Sequence, residues 1–443
     1  MNSLQHRTIG APKETLTGFK LLLTAFFLLP VGATVRLGGM GFNLSVSDIL
    51  LIPLLCKAAE LRRTDGYISG IEKRYFAFSL CFIALMSLSV INICRYVYPP
   101  TISLLLNSVA AMFKIVICLL YGGVFLVYFV RMDRSAFKTF LRIGVYSGFM
   151  FGLSCIAGAV LAKAGIETSL SAYGSRGSGF LDDPNLSAEL MLMQPAYALV
   201  LLINFNEERR DIKIYASLLC MLVGLLATGS KAGLLDLVFV VALTLMVLLF
   251  LNRPVATLAG LFGVAFLALS LIALNSQLGF MNTLISRLGE LSGGDANEAM
   301  TGRAGLWEYS FRLLNEDLNF FTGVGIGLFK PLMIQNMGSG NLAHNTFLSF
   351  LSECGILTVG LILFAVITRM AGVVSRLFST GRYEYLAILS GLLSAFIYMN
   401  SVNLQNNRMT YVFLIFVTFV LEFSKKVQCP SGNTLSFMNG DYQ

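Results

Sequence analysis

Apolar residues in this chain run in unbroken stretches instead of alternating with polar ones. Runs near spanning length recur at about 19–36, 44–57, 75–94, 109–130, 140–162, 187–205, 212–228, 232–251, 255–274, 346–368, 383–400 and 409–423, which predicts about twelve membrane helices. Lipid offers no hydrogen-bond partner to a bare peptide group, so a span is either a helix or part of a closed barrel. Barrel strands read with a period of two, and these runs do not. The expected fold is all-α: a polytopic membrane helical bundle, one integral membrane domain over residues 1–443. The second and last runs are short for a full crossing.

Composition sharpens that reading. The chain is 56% hydrophobic and only 13% charged, against roughly a quarter charged in soluble domains, and no sizeable soluble domain is left over. His6, Arg7, Lys13 and Lys20 precede the first run as they would in a signal peptide, but no small-residue cleavage site follows and Arg36 interrupts the far end. The sequence therefore predicts a retained first span. Cys56, Cys81, Cys118, Cys155 and Cys220 fall inside spans and show neither disulfide nor metal spacing, as small core residues do.

The net charge of +8 is a matter of topology, not of nucleic-acid binding. With both termini cytoplasmic, the inner connections collect most of the 32 basic residues, including Arg62, Arg63, Arg131, Arg134, Arg209 and Arg210. Left outside are Arg36, Arg95, Lys163, Arg176, Lys231, Arg287, Arg303, Arg312, Lys330 and Arg408, with Lys114 inside a span. Orientation rules give those outer cations no reason to exist, and they call for another explanation.

Two outer connections are long, at about 163–186 and about 275–345, and long ordered loops are usually functional. Within the second, "TGRAGLWEYSFRLL" sets Leu306, Phe311 and Leu314 beside Trp307 and Tyr309, the pattern of an amphipathic helix at the membrane surface. "GVGIGLF" lacks the spacing of a dinucleotide-binding turn and reads as backbone flexibility.

Candidate chemistry concentrates on that outer side. His344 is one of two histidines and stands where the loop enters an apolar run, with Asn345 or Thr346 placed to cap the helix. An imidazole titrates near pH ~6.5 and suits the role of base toward a hydroxyl, although a histidine can equally serve to hold a loop. Arg176, Lys231 and Arg303 each lie beside small residues that admit a ligand, and cations at a membrane surface are natural grips for a diphosphate. A lysine so close to hydrocarbon can also simply snorkel to headgroups. Glu353, inside the apolar run, is a charge that either pairs with an arginine or steers the histidine. The acids Asp182, Asp183, Asp295, Glu298 and Glu308 form no paired-carboxylate pattern, so no metal and no cofactor is expected.

"RGSGFLDDPNLSAELM", "ATGSKAGLLDL", "TGRAGLWEYSFRLL", "FTGVGIGLF" and "LAHNTFLSFLSECGILTVGLIL" occur in the order found in the bacterial O-antigen ligase and polymerase superfamily, and residues 173–368 resemble its core. The resemblance implies a GT-C-type membrane glycosyltransferase of the bacterial inner membrane, active on the periplasmic face without metal or nucleotide-sugar. Its donor would be an undecaprenyl diphosphate-linked glycan, its acceptor a second glycan, and its partners a flippase and a chain-length regulator. It further implies His344 as the base that activates the acceptor hydroxyl, and Lys231 and Arg303 as diphosphate ligands, with Arg176 in the region of a third. Lys231 departs from the usual arginine: charge survives, the bidentate fork does not.

A polymerase of lipid-linked repeats, probed by its acceptor, stands beside a ligase that moves a finished glycan to lipid A core or protein. A transporter is the rival from another class. Internal repeats and charges near the midplane would favour it, whereas here the unusual residues cluster toward one side.

Overall fold

The computed structural model describes residues 13–37, 40–66, 68–92, 102–174, 176–254, 257–258, 260–261, 303–315, 319–338 and 343–427. The expected span at 255–274 and the first part of the long connection, to residue 302, lie essentially outside them.

The chain begins with α1 (Lys13–Leu28), which is shorter than the predicted first span. Pro30 cannot continue a helix, and the chain turns into an antiparallel hairpin of β1 (Gly32–Leu37) and β2 (Met40–Ser45), with Gly32 opposite Ser45 and Leu37 opposite Met40. Then come α2 (Asp48–Asp65), α3 (Gly70–Ile91), α4 (Ile102–Phe129) and α5 (Arg134–Lys163). A small hairpin of β3 (Ser171–Ala172) and β4 (Arg176–Gly177) leads to α6 (Pro184–Met193) and α7 (Pro195–Asn204), which form one span interrupted at Pro195. The helices α8 (Ile212–Ala227) and α9 (Lys231–Phe250) follow. After the undescribed stretch come α10 (Arg303–Leu314), α11 (Asn319–Thr322) and α12 (Phe329–Met337). The chain closes with α13 (Thr346–Thr380), α14 (Tyr383–Met399) and α15 (Arg408–Val427).

Among the described residues six helices are long and apolar enough to cross a membrane: α3, α4, α5, the joined α6–α7, α9 and α13. Residues 17–28, α8 and α14 are apolar but shorter. The protein is thus a multi-pass helical membrane protein, with fewer full-length spans in view than the twelve expected.

The bundle is held by small residues and by aromatic rings. A Cβ on Gly224 of α8 would lie 2.8 Å from Gly152 Cα of α5, so the two backbones touch where both lack side chains, as helices without a hydrophobic drive between them tend to do. Deeper, Phe26 stacks on Phe140 at 4.4 Å, and Tyr197 and Phe416 meet at 4.9 Å, tying α1, α5, α7 and α15 together. At one end a charge network closes the helix connections. Glu72 receives Arg62 at 3.1 Å and Arg131 at 3.2 Å, and fully buried Glu208 receives Arg142 at 2.6 Å and Lys138 at 2.7 Å. The other end carries the candidate site.

Candidate active site

The corner between α8 and α9 is made by "TGSK". Thr228 ends α8, Gly229 takes the left-handed conformation (φ 57°), Ser230 caps α9, and Lys231 becomes that helix's first residue. Ser230 Oγ accepts from Gly233 N at 3.2 Å and donates to Asn185 Oδ1 at 2.9 Å. A Cβ on Gly233 would sit 2.7 Å from the Tyr398 hydroxyl and 3.0 Å from Ala188, which explains the small residue there.

Arg176 is brought to the same corner. Its Nε donates to Thr228 O at 2.8 Å and its Nη2 to Asn185 Oδ1 at 3.1 Å, while its guanidinium lies 5.9 Å from the Tyr173 ring centroid. It is buried, so its described contacts clamp the β3–β4 loop onto α6 and α8. The glycines of "RGSGF" make this approach feasible: a Cβ on Gly177 would collide with the Cys155 carbonyl of α5. Asn185, which no motif singled out, accepts from both Arg176 and Ser230. Its own amide is received by Asp183 Oδ1 at 2.8 Å, the N-cap of α6.

His344 is half-buried and has a positive φ of 49°, a conformation that an L-residue adopts at some strain. Asn345 caps α13 as expected, its Oδ1 accepting from Leu348 N at 2.9 Å and its Nδ2 donating to Asn400 O at 3.2 Å. Thr346 is buried and donates to Val402 O at 2.7 Å. Burial pushes the imidazole below its ordinary range, the positive field of Arg303 pushes in the same direction, and Asp183 opposes both. At neutral pH such a ring is predominantly unprotonated and able to accept a proton.

Arg303 opens α10, and the rest of that helix explains why its field reaches His344. Trp307, one turn further on the same face, donates its indole N–H to Ala343 O at 3.0 Å, directly beside the histidine. The helix is amphipathic as expected, but the face that is buried is turned to protein. Leu306, Tyr309, Leu313 and Leu314 are buried against protein, chiefly α12 and α13, whereas Phe311, assigned to the apolar face, is 54% exposed.

Two further readings change. The glycines of "GVGIG" are not slack: Gly323, Gly325 and Gly327 have φ of 72°, 120° and 76°. Val324 N and Gly325 N donate to Ser352 O (2.8 Å) and Glu353 O (3.0 Å), carbonyls freed because α13 breaks at Gly355 (φ 77°, ψ 177°). Glu353, in turn, is placed to hold this loop, its Oε1 accepting from Phe329 N at 3.3 Å, and so serves the loop where the sequence suggested an arginine pair or the histidine.

Two short segments join the cation corner to the histidine. Asp183–Asn185 touches Arg176 and Ser230 at one end and acts on His344 at the other. The end of α14 does likewise, with the Tyr398 hydroxyl 3.3 Å from Ser230 Oγ and Asn400 O receiving Asn345. Lys231, Arg176, Arg303 and His344 therefore stand round one end of the bundle. The N-termini of α6, α9 and α13 face that end too, adding partial positive charge. Such a place can hold an anion and take a proton from a hydroxyl beside it.

No curated protein matches the chain. Residues 216–365 match the O-antigen ligase family. The matched stretch contains Lys231, Arg303, His344, Asn345 and Glu353, while Arg176 precedes it. Over the segment that carries most of the site, about a third of its length, the chain is thus similar to the O-antigen ligase family.

Proposed function

We propose that this protein is a polysaccharide polymerase of the bacterial inner membrane, joining undecaprenyl diphosphate-linked oligosaccharide repeats at the periplasmic face. His344 Nδ1 or Nε2 removes the proton of the acceptor sugar hydroxyl. The freed oxygen attacks the anomeric carbon of the donor, the bond from that carbon to the diphosphate oxygen breaks, and the configuration inverts in a single displacement. Lys231 and Arg303 meet the charge that accumulates on the leaving diphosphate, and Arg176 holds the loop and corner against them. These side chains supply the stabilising charge without a metal ion.

The observation that carries this reading is the position of His344, between the fields of Arg303 and Asp183 and joined through Asp183–Asn185 to the corner that bears Lys231. Transfer onto lipid A core or protein would use the same donor chemistry, and the description of the matching family favours it as the second reading. Purified protein in nanodiscs, given a lipid-linked repeat, tests the proposal. His344→Ala is expected to abolish elongation, and full elongation by that variant would remove the histidine from the mechanism. Product that forms only when lipid A core is supplied would assign the ligase reaction.

A further inference from the structure

A carboxyl group that the mechanism above does not use lies inside the bundle, one turn along α6 from Asn185. Glu189 is fully buried. Its Oε2 accepts from Asn407 Nδ2 at 2.7 Å and its Oε1 from Thr410 Oγ1 at 2.9 Å. Asp236 of α9 and Tyr398 of α14 are the titratable groups that face it. An ionisable side chain within a span is costly to keep and usually marks function.

The two donors belong to a stretch that also holds the helix of His344. Residues 400–407 join α14 to α15, and their backbone is keyed to the first turn of α13. Val402 O accepts from Thr346 Oγ1 at 2.7 Å, Leu404 N donates to that same oxygen at 2.9 Å, and Asn400 O accepts from Asn345. Asn407 then caps α15, its Oδ1 accepting from Met409 N at 3.0 Å while its Nδ2 turns to Glu189. Arg408 beside it is fixed by Asp48 through bonds of 2.8 and 2.6 Å, which steadies the segment. Helix α6 therefore reaches His344 twice: Asp183 acts on the ring, and Glu189 holds, through Asn407 and Thr346, the backbone that bears it. The other bonded route from α6, through Asn185, Ser230 and Tyr398, includes a 3.3 Å contact between hydroxyls and is the weaker.

We propose that Glu189 is a positioning residue: by holding the 400–407 segment to α6, it sets the separation of His344 from Asp183 and from the corner that bears Lys231. The inference rests on the glycosyl-transfer reading above and deepens it. Both carboxyl oxygens are engaged inside the bundle, so Glu189 acts on the reaction only through the residues it holds. Without it, Asn407 and Thr410 are buried polar groups that regain partners only by moving, and a shift of about 1 Å among reacting groups can cost about 10²-fold in rate. The charged groups acting on the ring are Asp183 of α6 and Arg303 of α10. Arg303 moves with the ring, because Trp307 of its helix holds Ala343, whereas Asp183 stays with α6. A segment that slips from α6 thus loses the influence of Asp183 and keeps that of Arg303.

The chain has two histidines, so in a His6→Ala background the NMR titration of isotope-labelled imidazole, on the full-length protein in nanodiscs, reports His344 without any need for turnover. Glu189→Met and, separately, Thr410→Val are expected to move that midpoint down, toward the position that Asp183→Asn gives. Both should also lower kcat about tenfold or more, with KM for the lipid-linked repeat little changed. In an Asp183→Asn background neither should move the midpoint further. Glu189→Gln keeps an acceptor for Asn407 and can donate to Thr410, and is expected to stay near the unmodified protein. A midpoint unmoved in both Glu189→Met and Thr410→Val would overturn the assignment, whether or not kcat falls, since a tie serving stability alone gives that result. A shift that adds in full to that of Asp183→Asn would overturn it as well. The expected titrations in a protein unable to transfer sugar would uphold the positioning and count instead against the proposed reaction.

Discussion

Two groups of opposite sign act on the His344 imidazole, and each can be removed singly. Asp183 raises its pKa, and Asp183→Asn keeps an effective helix cap while deleting the charge. The ring then stays unprotonated to lower pH, so the acid limb of the pH profile of kcat/KM should move down. Arg303→Gln removes a lowering influence and should move the same limb up, besides weakening the grip on donor. Coincident limbs in all three proteins would place the titrating group elsewhere. Lys231→Gln should lower kcat/KM about 10²-fold, the usual scale for a lost group that stabilises leaving charge. Lys231→Arg should hold or exceed the native rate, because the fork matches a diphosphate better than an ammonium does. The residue types in the site were readable from the sequence, since each is polar, sits at the edge of an apolar run and belongs to a motif in order. Asn185 and Tyr398 were not. Their importance arises from which segments fold together, and nothing in "DDPN" or "AFIYMN" announces it.

At the scale of elements, among the described residues, the helices followed the apolar runs closely wherever the run was long. The first run misled because hydropathy alone does not register that Pro30 ends a helix and that a Gly-rich stretch with β-branched residues can pair as strands. "GVGIG" misled for the opposite reason: glycine at a forced left-handed turn and glycine in a loose loop look alike until the partner backbone is known. Here the partner is the break in α13, where a Cβ on Gly355 would collide with Phe321 O and one on Gly323 with Glu353 O. Gly355→Ala should therefore fail to fold stably, which thermal unfolding in detergent would register as a lost or strongly lowered transition, whereas Gly360→Ala, with nothing nearby, should be neutral. Trp307→Phe is the milder case. It removes a hydrogen bond worth about 1 kcal/mol and should reduce kcat about tenfold with little change in the unfolding midpoint, because its loss frees Ala343 and the histidine beside it. An unchanged kcat would confine Trp307 to packing.

For the whole molecule, the sidedness drawn from basic residues makes its own prediction. Tyr173 is 75% exposed at the site end, and Arg210 lies in the turn at the opposite end. In intact cells of a cysteine-free background, Tyr173→Cys should react with a membrane-impermeant maleimide once the outer membrane is opened, and Arg210→Cys only after lysis. The reverse pattern would invert the topology and move the reaction to the cytoplasm. The last turn of α14 has a final consequence. It grips the corner before α9 through Tyr398 and the start of α13 through Asn400, so any rocking of one half against the other would pull the reacting groups out of register. On the reaction proposed above, sugar is delivered already on the side where it reacts, and the lengthening glycan leaves by that side.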